Sequence, residues 1–261
     1  MLDFGEIGKS LHEISKTYQI SCLAVIDEVE NALGSALTRV YGYDVDVQII
    51  GNGTPDLRIV GYKGTREGCT ISRIYPETLN KNTVRFLRRR LAMRLNERAV
   101  LEEFFTLAPL QCHVYEGKIY KPPFPGKELY VDVTHYDRYF GIKSSAAAVC
   151  KFIEQPSSER GRYRLGDILM FYVMRVRAVL VNGYPRLEIY VSRSSKSLVD
   201  RLIKKYIADK TGNPAVGDIK CIKRVASAYS RVVSTVRIDP EILDRVSKEV
   251  NEVIRVEVVN V

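Results

Sequence analysis

The sequence contains no tryptophan and only three histidines, His12, His113 and His135. None of the three stands at metal-ligand spacing from a cysteine or a carboxylate, so the pattern suggests no zinc or other metal site. Five cysteines (Cys22, Cys69, Cys112, Cys150 and Cys221) lie far apart, with no CxxC or CxxH spacing. An odd number of scattered thiols in a chain of 261 residues points to a reducing compartment rather than a disulfide framework. No apolar run approaches the ~20 residues of a membrane span. The opening MLDFGEIGKS lacks the basic-then-apolar order of a secretory signal. A cytoplasmic location is therefore expected. G-x-S-x-G, Walker A and G-x-G-x-x-G motifs are all missing. GNG at 51–53 is too short to cradle phosphate and reads as a turn, and the neighbouring Glu102 and Glu103 sit near a helix end, where charge is ordinary. Little remains to carry catalysis, and no cofactor is expected. Repeats and low-complexity tracts are absent as well.

What the chain does have is charge and apolar mass. Lys and Arg number 40 against 31 Asp and Glu, a formal +9, and 46% of residues are hydrophobic. The excess suits a polyanionic partner, and the apolar fraction can fill real cores. Helical spacing of apolar residues marks 7–18 (Leu11, Ile14, Tyr18) and then 21–42. The second helix has Ser21 as a candidate N-cap and Gly42 at its stop. DVDVQII and DLRIVGYK alternate as two strands of a hairpin. A long helix is expected over 78–105, with Val84, Leu87, Leu91 and Leu95 on one stripe. Seven basic residues and one acid, Glu97, fall between Lys81 and Arg98. Arg88, Arg89 and Arg90 are read either as a solvated face or as phosphate contacts.

From 110 to about 192 the pattern turns to β. Strands fit CHVYEGKIY, ELYVDV, RYFGIKS, DILMFYVMRVRAVLV and RLEIYVSR, with turn-rich pieces such as KPPFPGK between them. Five strands with such loops suit a small closed barrel of OB type, although a β-sandwich fragment fits the same pattern. Aromatic and basic residues interleave here: Lys118, Tyr120 and Lys121; Tyr130; Arg138, Tyr139, Phe140 and Lys143; Arg175, Arg177 and Arg186. Single-stranded RNA is held in this manner, with bases stacked on rings and phosphates on cations, while alternation turns part of the same rings into the core. Tyr139 is expected to be exposed and Phe140 buried, because adjacent strand residues face opposite sides. After a joint of the form Ser-Arg-Ser-Ser come a helix (about 195–210), two strands (216–226 and 229–238), a helix (240–253) and a last strand. Asp239-Pro240 opens the second of these helices.

The fold class expected is thus multidomain α+β. A helical and β-hairpin N-terminal domain with a long connecting helix takes 1–105, a five-stranded OB-type barrel 106–194, and a small α+β module 195–261. This order of parts resembles the NusA family of bacterial transcription elongation and termination factors. LHEISKTYQISCLAVIDEVENALGSALTRVYG is similar to that family's opening helices, and VRFLRRRLAMRLNERAVLEEF to its connecting helix. VYEGKIY, ELYVDV and RYRLGDILMFYVMRV resemble its S-one-class barrel. RLEIYVSRSSKSLVDRLIKKYI and VGDIKCIKRVAS resemble the entry into its first KH domain. The resemblance implies a non-enzymatic protein whose N-terminal domain docks on RNA polymerase near the RNA exit channel, whose barrel meets nascent single-stranded or hairpin RNA, and which modulates pausing, with other elongation factors as further partners. It also implies that the serine-rich joint makes barrel and KH-like module one body. One departure stands out. DPEILDRVSKEVNEV supplies a single helix with no glycine, where the family has a helix, a G-x-x-G loop and a second helix. That loop clamps the nucleic-acid backbone in KH domains, so most RNA affinity is expected in the barrel. The chain is expected to be a reduced member without a second KH domain. Two further readings fit the residues: an RNA-binding protein of translation or RNA decay, and a structural polymerase subunit that does not bind RNA.

Overall fold

Ser21 and Gly42 bracket a helix as their chemistry requires. In the computed structural model, which describes residues 7–51, 56–66, 68–124, 126–137, 142–213 and 217–259, the Ser21 hydroxyl accepts from the Ala24 amide at 3.1 Å. Gly42 adopts φ +73°, and its amide donates to the Thr38 carbonyl at 2.8 Å. The chain is mixed α+β. Among the described residues, five α-helices and eleven strands build two three-stranded sheets and a closed five-stranded barrel. It divides into two compact units, residues 1–105 with 178–186, and residues 106–177 with 187–261. Among the described residues, no helix is long and apolar enough to cross a membrane.

In the first unit, α1 (Ile7–Tyr18) and α2 (Cys22–Tyr41) precede the antiparallel strands β1 (Asp44–Ile50), β2 (Asp56–Thr65) and β3 (Gly68–Ile74) and the long α3 (Lys81–Leu107). Leu11 and Ile14 of α1, Val25, Val29, Leu33 and Leu37 of α2, Val45, Val47, Leu57 and Ile59 of the sheet, and Leu87, Leu91 and Leu95 of α3 share one core. The sequence pattern led to a two-stranded hairpin, and the structure adds β3. Every described residue of β3 except Ile74 is exposed, so no alternation marked it; its pairing with β2, from Ile59 opposite Ile74 to Thr65 opposite Gly68, makes it a strand. Of the GNG turn only Gly51 lies within the described residues.

The second unit, apart from residues 178–186, holds the barrel of β4 (Val114–Ile119), β5 (Leu129–Asp137), β6 (Ile142–Cys150), β7 (Ile168–Val181) and β8 (Tyr184–Ser192), in the order β4-β5-β6-β8-β7 with β7 closing onto β4. β4 pairs antiparallel with β5 and β7, and β5 with β6, whereas β6 and β8 are parallel at Val149–Tyr190 and Cys150–Val191. This is an OB-like Greek-key order. Its interior is filled by Phe171, Ile119, Val131, Val133, Val173, Ile189 and Val191, all essentially inaccessible. Room for the Phe171 ring comes from small partners. Ala146 and Ala148 stand opposite Val133 and Val131, and Gly117 leaves space that a Cβ would take from Val131 and Phe171. The third strand therefore lies later than the sequence pattern placed it. IKSSAAAVC is poor in β-branched and aromatic residues, and what makes it a strand is nine consecutive pairings with β5. Arg138, Tyr139 and Phe140 lie outside the described residues.

The C-terminal module follows as α4 (Lys196–Thr211), β9 (Ile219–Val225), β10 (Tyr229–Ser234), α5 (Pro240–Val250) and β11 (Val253–Val258). Its sheet has the order β11-β10-β9, with β10 antiparallel to β9 and parallel to β11. Asp239 caps α5 by accepting from the Glu241 amide at 2.9 Å. One helix alone links β10 to β11, in a segment without glycine.

The Ser-Arg-Ser-Ser joint is a built structure. The Arg193 side chain is 3% exposed. Its guanidinium donates to both oxygens of Glu159 at 3.1 and 2.8 Å, to Glu249 Oε1 at 2.9 Å and to the carbonyls of Met170 and Glu249 at 3.0 and 3.1 Å. Burial works against the charge, but the Glu159 and Glu249 carboxylates more than offset it and hold Arg193 well above its ordinary value. Ser192 Oγ donates to Glu154 Oε2 at 2.6 Å and accepts the amides of Ser194 and Ser195. Val114 and Met170 of the barrel share a core with Leu198, Leu202, Val246 and Val250. Barrel and C-terminal module are thereby locked by apolar packing and by one buried cation.

Candidate nucleic-acid interface

The loop between β4 and β5 is proline-rich. Pro122 and Pro123 fix φ and offer no amide donors, and the Lys127 amide closes a turn onto the Phe124 carbonyl at 3.1 Å. The result holds Phe124 64% exposed on the protein surface. Facing it is one 3-10 turn after β6, residues Phe152–Glu154, with Ile153 72% exposed. Buried Gln155 ties the two walls together, its amide donating to the carbonyls of Lys127 at 3.0 Å and Cys150 at 3.3 Å. Behind the second wall the Arg160 guanidinium lies 4.1 Å from the Phe152 ring. Burial pushes the Cys150 thiol up to about 12, so it stays protonated and unreactive.

Between the walls is a hollow of about 570 Å³ lined by Lys121, Phe124, Lys127, Tyr130, Lys151 and Ile153, among others. Aromatic rings with cations beside them line or border it. Tyr120 and Tyr130 meet edge to face with centroids 6.3 Å apart. Lys121 Nζ is 4.1 Å from the Tyr130 centroid, and Lys127 Nζ is 5.8 Å from that of Phe124. A second hollow of about 290 Å³ shares Lys151 and Ile153 with the first and continues to Arg175, Arg177 and Tyr190. There Lys151 Nζ and the Arg177 guanidinium lie 4.7 and 5.2 Å from the Tyr190 ring. The Tyr190 hydroxyl donates to Glu188 at 2.7 Å, and Arg177 donates to the same oxygen at 3.1 Å. The hydrogen bond from Tyr190, with help from Arg177, holds the Glu188 carboxyl below its ordinary range. Flat rings, two exposed apolar side chains and a line of lysines form a surface that can take stacked bases and neutralise phosphates.

Of the residues singled out from sequence, Tyr120 and Tyr130 come together on this surface. Lys118 is exposed beside them on β4, opposite Asp132. Arg175 and Arg177 line the second hollow, with Arg177 engaged by Glu188. Arg186 is exposed on β8 but lines neither hollow. Lys143 pairs with Tyr136 in β6, and its side chain lies outside the described residues, as do Arg138 and Tyr139. Arg88, Arg89 and Arg90 are exposed on α3, but successive helical residues are turned by about 100°, so they fan around the helix. Arg88 lines a hollow with Ile14, Tyr18 and Leu91. The residues missed were Phe124, Lys127, Lys151, Ile153 and Tyr190. The sequence pattern makes KPPFPGK a connector, although a phenylalanine flanked by prolines and lysines is the signal of its exposure. No family model matches the sequence, and no curated protein matches it.

Proposed function

We propose that this protein binds single-stranded RNA along the outer surface of its barrel and acts as a NusA-like transcription elongation and termination factor. The observation that carries the RNA half is the continuous groove in which Lys121 covers Tyr130 between the projecting Phe124 and Ile153. OB-type barrels bind oligonucleotides on the face of their second and third strands and on the adjoining loops, and β5, β6 and the 120–128 loop occupy those places here. Stacking and cation contacts would hold an RNA path without bond chemistry. The polymerase half rests on the order of parts in the sequence, with the first unit as the docking element in the cytoplasm.

The test uses the full chain as bait in a bacterial lysate, with and without ribonuclease. RNA polymerase retained after ribonuclease, together with binding of labelled single-stranded RNA by the purified chain, supports the proposal. RNA binding with no polymerase would favour a role in translation or RNA decay, and polymerase with no RNA binding would favour a structural subunit.

A further inference from the structure

The barrel is not the only surface where rings and cations are set in order. On the three-stranded sheet of the C-terminal module, Ile219, Cys221 and Val232 turn inward to the helices. The opposite face can be read row by row across the register. In the first row Val225, Tyr229 and Val253 stand side by side. In the second, Lys223, Arg231 and Arg255 stand side by side. In the third are Lys220, Val233 and Glu257. Val225 is 43% exposed and Val253 57%, and the three cations of the second row are all exposed. Neighbouring rows lie two residues apart along β10 and β11, about 6.6 Å, while the bulge in β9 sets Lys223 and Lys220 three residues apart.

An apolar row centred on a ring therefore runs beside a row of three cations. The cations reach toward the ring: Lys223 Nζ is 5.6 Å and the Arg255 guanidinium 5.7 Å from the Tyr229 centroid. Like charges directly opposite one another destabilise a sheet, and the only acid among these three rows, Glu257, pairs with Arg231 alone at 2.8 Å. The second row thus presents Lys223 and Arg255 to solvent with the Tyr229 ring beside them. A polyanion with flat apolar groups spaced along it matches both rows, with phosphates on the second and a base on Tyr229.

We propose that this open sheet face is a second binding surface for single-stranded nucleic acid, with Tyr229 as its stacking platform and Lys223, Arg231 and Arg255 as its phosphate contacts. It is independent of the barrel groove and assigns RNA affinity to a module that lacks the backbone-clamping G-x-x-G loop, where the sequence led to little.

The test is fluorescence anisotropy of the full chain with a dye-labelled oligouridine 12-mer over a range of salt, with thermal melting of every variant. Tyr229→Ala should weaken binding about 5- to 150-fold, the range for loss of one stacked base, whereas Tyr229→Phe, which keeps the ring, should bind as wild type does. The pair Lys223→Gln and Arg255→Gln should lower the salt slope by about 1.4, at about 0.7 per single-strand phosphate, and should melt no lower than wild type because like charges are relieved. That double variant decides the matter should Tyr229→Ala fail to fold. Wild-type affinity and slope in the folded double variant would overturn the proposal. So would an oligoglutamate peptide that binds more tightly than the RNA and loses binding on the same substitutions, which would assign the face to an acidic protein. Tyr130→Ala in parallel separates the surfaces: normal binding by that variant would count against the barrel while leaving the sheet result standing, and the converse holds equally.

Discussion

Replacing Arg193 by methionine should weaken the second unit severely. The substitution keeps the apolar stem but removes five hydrogen bonds. It leaves Glu159 and Glu249 facing each other's charge with side-chain exposures of 17% and 24%, and strips the Met170 and Glu249 carbonyls of their donor. Removing one partner of a buried ion pair costs about 3–5 kcal/mol. The two carboxylates are near enough to solvent to recover some hydration, so the lower end, about 3 kcal/mol, is expected. In a unit of this size each kcal/mol moves the midpoint by about 2–4 °C, so the melting temperature should fall by about 6–12 °C. Lysine at the same place can reach one carboxylate but not fork to two, and should fall between. Lys248→Met, at an exposed i,i+4 pair with Asp244, is the control and should cost less than about 0.5 kcal/mol. Urea denaturation of the three variants measures this, and limited proteolysis should find new cleavage in the 155–166 loop of Arg193→Met. A loss below about 1 kcal/mol in that variant would refute the claim that a buried cation locks the joint.

Two further outcomes follow from the interior. Gly117→Ala places a methyl against Val131 and 2.8 Å from the Phe171 ring, and should cost about 1–3 kcal/mol in urea denaturation by overpacking the barrel. Asp200 on α4 has Oδ1 buried without a hydrogen-bond partner, and burial raises its carboxyl above the ordinary 3.8. At pH below 3.8 both folded and unfolded chains hold the proton, so there is no penalty; as pH rises through the folded value the chain must bury a charge. Asp200→Asn should accordingly be more stable than wild type at pH 7, and melting curves against pH should show the gain vanish below about pH 4.

Much of the fold could be read from the sequence, and the failures share a cause. Helices with apolar stripes and explicit caps, such as 22–41 and 240–250, lie within a residue or a few of where spacing placed them, because Ser21, Gly42 and Asp239 state the boundaries locally. Both β errors occur where partners decide. β3 has a single buried residue, and β6 is built of serine and alanine so that Phe171 can fill the barrel. The misplaced β6 hid Lys151 and Ile153 just beyond it, and with them one wall of the groove. Tyr120 and Tyr130 were found because aromatic residues interleave with lysines there, although parity left open the side to which Tyr130 points. Phe124 was not, since its exposure is set by the prolines around it. Nor could sequence show that Glu188 engages Arg177, a contact across two strands. The three rows of the C-terminal sheet needed the register, bulge included, before Lys223, Arg231 and Arg255 lined up.

The central claim is that the barrel groove binds single-stranded RNA, and the most direct measurement is titration of a labelled single-stranded RNA with wild type, Phe124→Ala and Tyr130→Ala, each checked by thermal melting. Phe124 is 64% exposed, so its removal should leave the melting temperature unchanged. Each variant should bind about 5- to 150-fold more weakly. Wild-type affinity in both variants, with both folded, would contradict it.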